Sequence, residues 1–152
     1  MRHWLFKTEP ETYGITDLER EGRCGWEGIR NYQARNRLRD EVAVGDAVLI
    51  YHSSCAEPAV VGLAEVCGAA RPDPTQFDPQ ARYYDTKAVP DNPRWMLVEL
   101  RFREAFAKPL TLRAIKADAF FADMELVSKS RLSIQRVAPE QFDAILSRCR
   151  PG

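Results

Sequence analysis

No sign of charge dominates this chain. Lysine plus arginine number 22 and aspartate plus glutamate number 22, for a formal net charge of zero. That balance excludes a global positive field able to hold a long polyanion without regard to sequence, so any nucleic acid must be held by a local patch. Paired cysteines are also lacking. Cys24, Cys55, Cys67 and Cys149 are widely separated and form no C-x-x-C pair, and only two histidines are present. Neither a zinc site nor a disulfide framework is signalled, no metal or organic cofactor is implied, and isolated thiols in a reducing compartment are expected. Long apolar runs are missing too. The opening His3-Trp4-Leu5-Phe6-Lys7 is too short and too polar for a signal peptide or a membrane span, so the expectation is a cytoplasmic protein with no membrane partner. Repeats, heptads, low-complexity segments and a glycine-rich phosphate loop are absent. At 152 residues the chain fits one domain, residues 1–152, large enough to bury most of the surface its unfolded form exposes.

What is present reads as mixed α/β with interrupted strands. Trp4 to Lys7 predicts a first strand, and Thr16-Asp17-Leu18-Glu19 matches a capping box, predicting a short helix after Thr16. Gly45-Asp46 turns into Ala47 to His52, and Ser53 to Pro58 turns into Ala59 to Cys67; both runs are rich in Val, Leu, Ile and Tyr and predict a hairpin or adjacent pair. Gly62 within the second run signals a bulge or bend. Between Arg71 and Pro93 five prolines exclude regular elements, and Phe77, Tyr83 and Tyr84 are the expected apolar anchors of a long ordered loop. Trp95 to Phe106 alternates as a half-buried strand, with Met96, Val98, Leu100 and Phe102 on one face and Glu99, Arg101 and Arg103 on the other. A short helix around Thr111 to Ala117, a last strand from Leu132 to Val137 and an amphipathic helix opened by Pro139 complete the chain. Trp4 and Trp95 are expected in the core.

The richest stretch runs from Trp26 to Arg39. Asn31 is a good N-cap, and a helix from Tyr32 to about Asp40, turning ~100° per residue, puts Tyr32, Arg35, Asn36 and Arg39 on one face, with Ala34 and Leu38 inward. That face combines a ring to stack on, amides to read edges and positive charge for phosphate, although a solvated helix face beside a buried tryptophan also accounts for it.

In order along the chain, several runs resemble one known family. They are Trp4-Leu5-Phe6-Lys7-Thr8-Glu9-Pro10, the run from Trp26 to Asn36, Tyr51-His52-Ser53-Ser54, Pro72-Asp73-Pro74-Thr75-Gln76-Phe77, Asn92-Pro93-Arg94-Trp95 and Ser130-Arg131-Leu132-Ser133-Ile134-Gln135. By these runs the chain resembles the EVE domain, a member of the PUA-like group, across essentially its whole length. The pattern is departed from at Arg37, where an apolar ring or aliphatic chain is usual. The resemblance implies a PUA-like open β-barrel or strongly curved mixed sheet flanked by short helices, with a pocket at one end. It also implies non-catalytic recognition of modified bases in DNA or RNA. Carried onto this sequence, the ligand pocket comprises Lys7, Thr8 and Glu9, Trp26, the helix start Arg30-Asn31-Tyr32, and His52-Ser53-Ser54.

Each of these positions has a chemical use. Trp26 offers the widest π face, worth about 1–3 kcal/mol per stacked base, or else packs in the core. Asn31 and the free amides of the helix start supply donors, or simply a cap. Ser53 and Ser54 are short hydroxyls suited to base edges and equally to a turn. Lys7 and Arg35 bring charge to the pocket mouth, and Arg35 and Arg39 are the expected phosphate contacts. His52 and Cys55 near Ser53 and Ser54 make a weak nucleophile-and-base arrangement, because a turn rarely aims two such groups at one atom and no third orienting group is apparent. The alternative to a nucleic-acid reader is a sensor of a small planar ligand such as a nucleotide, using the same pocket, which the net neutrality suits.

Overall fold

The computed structural model describes residues 1–151. Six strands, β1 (His3–Thr8), β2 (Arg23–Gly25), β3 (Ala47–His52), β4 (Ala59–Pro72), β5 (Met96–Thr111) and β6 (Ile134–Arg136), form one mixed sheet in the order β2-β5-β4-β3-β1-β6. β1 and β3 run parallel, and every other neighbouring pair is antiparallel. β2 and β6 lie at free edges, so the sheet is curved but not closed.

β1 and β3 are nearly continuous apolar runs because both of their faces are covered. Trp4, Phe6, Val48 and Ile50 face a core completed by Leu18 of α1 (Ile15–Glu21) and by Ala34 and Leu38 of α2 (Tyr32–Asp40). The alternate residues Leu5, Leu49 and Tyr51 face a second core. Its other members include Ile115 of α3 (Leu112–Lys116), Leu126 of α4 (Glu125–Ser128) and Ile145 of α5 (Pro139–Cys149). Asp46, buried at the mouth of β3, accepts the Trp4 indole N–H at 2.9 Å and thereby orients the Trp4 ring in the first core.

Curvature comes from the long antiparallel pair. The β4–β5 register shifts at four places, the first between Val60 and Gly62, and each bulge bends and twists the strands. Gly62 is required there: a Cβ on it sits 2.4 Å from Ile15 Cδ1 and 2.7 Å from the Glu104 carbonyl oxygen.

Local expectations needed several corrections. α1 is capped by Gly14 rather than Thr16, with the Asp17 carboxylate accepting the Gly14 N–H at 2.8 Å. β5 continues past Phe106 to Thr111, whose hydroxyl caps α3. β2 and α4 were not visible in the sequence pattern, being three and four residues long. The proline-rich segment begins as the end of β4 and contains a 3-10 turn, Pro74–Phe77. Tyr84 does not anchor it, being 40% exposed; buried Asp73 and Gln76 do. Gln76 donates to the carbonyls of Asp73 and Trp95 and accepts the amides of Arg94 and Trp95, so all of its side-chain capacity ties the two ends of the loop together. Arg37, only 4% exposed, forks onto Glu125 at 2.6 and 2.9 Å and donates to the Ile134 carbonyl. A buried ion pair thus stands where an apolar side chain was expected, joining α2 to α4 and β6.

Candidate functional site

The parallel alignment of β1 and β3 carries Lys7-Thr8-Glu9 and Ser53-Ser54 to the same end of the sheet. Ser53 continues the pairing by donating its N–H to the Thr8 carbonyl at 2.9 Å, and Ser54 turns the chain away with a φ of 53°. The Thr8 hydroxyl donates to the Tyr13 carbonyl at 2.7 Å and folds the following turn back over the sheet. Opposite, the segment after β2 crosses from Trp26 to Arg30. Between these walls lies a cleft of about 850 Å³.

Seven of the expected ligand residues line it: Lys7, Thr8, Glu9, Trp26, Arg30, Ser53 and Ser54. Their surroundings differ from expectation in two cases. Trp26 is only 5% exposed, packed against Phe6 at 6.0 Å and met edge-on by Tyr13 at 6.0 Å, so most of its π surface belongs to the core. Arg30 has all five N–H groups engaged by the protein. They reach the Ile29 carbonyl, the Asp73 carboxylate, the Thr75 hydroxyl and, twice, the Tyr83 carbonyl. Its role in the cleft is to hold the wall that Tyr83 forms.

Asn31, Tyr32 and His52 lie outside the cleft. The Asn31 side chain accepts the Ala34 N–H at 2.9 Å as the α2 cap. Tyr32 projects onto the outer face of the helix, against Trp95. His52 accepts the Ile15 N–H on Nε2 at 3.1 Å, and burial pushes its pKa down, which keeps the ring a neutral acceptor. Arg35 and Arg39 also belong to the outer face, Arg39 being paired with Asp40 at 2.8 Å.

Tyr13, Arg23, Arg71 and Arg131 line the cleft without having been singled out. Tyr13 donates to Glu21 Oε1 at 2.7 Å, and burial first, then its bonding to Cys24 and Glu21, holds the phenol strongly protonated. Arg23 and Arg71 share Glu99, at 3.1 and 3.5 Å, and form a basic rim. They arrive from β2 and the far end of β4, elements whose spacing in the chain says nothing of their meeting. Lys7 donates to the Ser130 carbonyl across the cleft, and burial lowers its pKa. Among the described residues the Glu27 carboxyl has no hydrogen-bond partner; burial, then the Asp73 charge, raises its pKa. The cleft therefore offers an aromatic edge, hydroxyls, the carboxyls of Glu9, Glu21 and Glu27 and a cationic rim, a set that suits a planar polar ligand carrying phosphate.

A curved mixed sheet covered on both faces and open at one end into such a cleft is the architecture of a PUA-like domain. The chain belongs to the EVE domain family, whose model matches residues 2–148. Thymocyte nuclear protein 1 of Gallus gallus is 39% identical over 164 residues, covering 95% of this chain and 67% of the relative. An uncharacterised Schizosaccharomyces pombe protein is 36% identical over 159 residues, covering 95% and 66%. The chain thus spans about two thirds of the length of these relatives. Among solved structures, human THYN1 in complex with 5-methylcytosine-containing DNA is 34% identical with a TM-score of 0.94, covering 100% of this chain and 99% of that one. A Pseudomonas syringae protein is 42% identical with a TM-score of 0.92, covering 95% and 97%. Among the described residues no helix is long and apolar enough to cross a membrane.

Proposed function

We propose that residues 1–152 act as one non-catalytic domain that binds a modified nucleobase within a nucleic acid, the base entering the cleft between Ser53-Ser54 and Trp26. The observation that carries this reading is the likeness, over the whole chain, to human THYN1 solved with 5-methylcytosine-containing DNA. The cleft supports it independently. Ser53, Ser54 and Glu27 provide acceptors and donors for base edges, and Lys7, Arg23, Arg71 and Arg131 provide charge for the flanking phosphates. A base in such a site is taken out of its stack, which is least costly for a base already unpaired or mismatched.

Binding without turnover fits the state of the nucleophiles. Burial pushes the Cys24 thiol up, away from the thiolate that reacts, and His52 faces the Ile15 amide rather than the cleft. We place the domain in the cytoplasm or the nucleus, the vertebrate relatives being named as nuclear proteins. Both compartments are reducing and both hold nucleic acid.

The test is titration of the purified protein with 5-methyldeoxycytidine monophosphate and with short DNA and RNA oligonucleotides, each modified and plain. The expected result is tighter binding of a modified oligonucleotide than of its plain counterpart, weakening with added salt. Equal affinity for the free nucleotide and the oligonucleotide would move the reading to a small-ligand sensor. Absence of binding to every probe would overturn both.

A further inference from the structure

The face of α2 that carries Tyr32, Arg35 and Arg39 lies outside the cleft and has a construction of its own. Tyr32 is 51% exposed, and its ring stacks on buried Trp95 with centroids 4.8 Å apart and planes 30° apart. Trp95 is immobilised in turn: its indole donates to Asp85 at 2.7 Å and its backbone amide to Gln76 at 2.9 Å. The Arg35 guanidinium lies 4.8 Å from the Tyr32 centroid, held by the Arg94 carbonyl at 3.0 Å. On the other side of Trp95 is a second depression of about 400 Å³, where Tyr84 stands 40% exposed beside Arg82. Arg30 and Tyr83 line both this depression and the cleft, so the two adjoin across a single wall.

These features combine in a way that ordinary surface does not require. An exposed aromatic ring fixed from behind by a second, buried ring has little conformational entropy left to lose when a planar ligand stacks on it. A guanidinium plane beside it extends the stack and adds charge. Asp85 is engaged by the Trp95 indole at 2.7 Å. Arg39 forks onto the exposed Asp40 carboxylate at 2.8 and 3.0 Å, a solvent-screened pair that a strand phosphate can displace at little cost. Arg39 follows two turns along the same face, about 10 Å from Tyr32, a spacing that backbone phosphates of an extended strand can meet.

We infer that the Tyr32–Trp95 stack is a second station for single-stranded nucleic acid, holding a base that neighbours the one in the cleft, with Arg35 and Arg39 on its phosphates. The inference rests on the reading of the cleft as the modified-base site. It predicts that an oligonucleotide binds better than the nucleotide alone, and it makes the second station indifferent to base identity, since every base has a π face.

The experiment compares wild type with Tyr32→Ala, Tyr32→Leu and Tyr32→Phe on two probes: 5-methyldeoxycytidine monophosphate, which fills only the cleft, and a short single-stranded DNA oligonucleotide with 5-methylcytosine at its centre. Tyr32→Ala and Tyr32→Leu are expected to weaken the oligonucleotide by roughly 5- to 150-fold, to leave the nucleotide unchanged, and to weaken the plain oligonucleotide by the same factor. Tyr32→Phe keeps the ring and is expected to retain wild-type affinity. Unchanged oligonucleotide affinity in folded Tyr32→Ala and Tyr32→Leu overturns the second station and leaves the cleft reading standing. Equal losses on both probes also overturn it, since Tyr32 then acts by shaping the cleft. Failure of wild type to bind either probe removes both readings together.

Discussion

The Arg30 guanidinium meets the fully buried Asp73 carboxylate at 3.1 Å, and this contact joins the segment after β2 to the proline-rich loop after β4. Asp73 also accepts the Gly28 and Thr75 amides and the Thr75 hydroxyl, so the two segments share one buried charge. Arg30→Ala leaves that carboxylate without its cation and should cost roughly 3–5 kcal/mol, read as a lower urea midpoint. Arg30→Lys should recover little, because a point charge cannot replace the fork that also holds the Tyr83 carbonyl. Wild-type stability of Arg30→Ala would show that the Gly28 and Thr75 donors alone satisfy Asp73, and wild-type stability of Arg30→Lys that a point charge suffices.

Gly62→Ala should destabilise by about 1–3 kcal/mol through overpacking against Ile15. Adding Ile15→Ala should not restore wild-type stability. It opens its own cavity, and the Glu104 carbonyl, 2.7 Å from the new Cβ, is backbone and cannot step aside. Thermal denaturation of the single and double variants measures this, and a neutral Gly62→Ala would mean that the bulge relaxes freely.

Acid should act on the Arg37–Glu125 pair. Burial raises the Glu125 carboxyl, but the hydrogen bonds from Arg37 and the Arg136 amide, with the Arg37 charge, outweigh it and hold the pKa below the usual carboxylate value. A depressed folded-state pKa contributes stability that is present above the unfolded value of about 4.3 and lost as pH falls through the folded one. Urea unfolding of Glu125→Gln should therefore show lower stability than wild type near neutrality and a flatter decline through the acid range. Parallel curves for the two proteins would assign the acid sensitivity to other carboxylates, Asp46 among them.

Rim and wall should separate in binding. Arg71→Ala removes one rim charge and should weaken modified and plain oligonucleotides alike, making the salt slope shallower by about one. Trp26→Phe keeps the core filled better than Trp26→Ala, whose cost of about 3–5 kcal/mol to the fold would obscure any binding effect. Its smaller ring should reduce the preference for the modified base, checked by competition between modified and plain probes. A loss of preference in Arg71→Ala with none in Trp26→Phe would reverse the two roles.

How much of this protein could be read from its sequence depends on how locally each feature is encoded. β1 and β3, α2 with its Asn31 cap, the bend at Gly62 and the opening of α5 at Pro139 were legible because each follows from neighbouring residues: an apolar run, a capping side chain, a missing Cβ, a preset φ. The residue runs from Trp4 to Gln135 likewise pointed to the EVE family, which the whole-chain match established. Position in space was another matter. Tyr32 and Trp26 lie close in the chain, yet one projects onto the outer face of α2 and the other into the core beside the cleft, because the φ of 88° at Gly28 and the Asp73 contacts redirect the backbone between them. Arg30 looked available for a ligand until its five hydrogen bonds, four of them to groups outside its own segment, came together. Arg23, Arg71 and Tyr13 gave no local signal, since strand pairing alone brings β2 and the end of β4 to opposite sides of β5. Side-chain chemistry and local periodicity were thus determined by the sequence alone, whereas which groups share a cleft was decided by long-range pairing and by two buried ion pairs whose partners lie far apart in the chain.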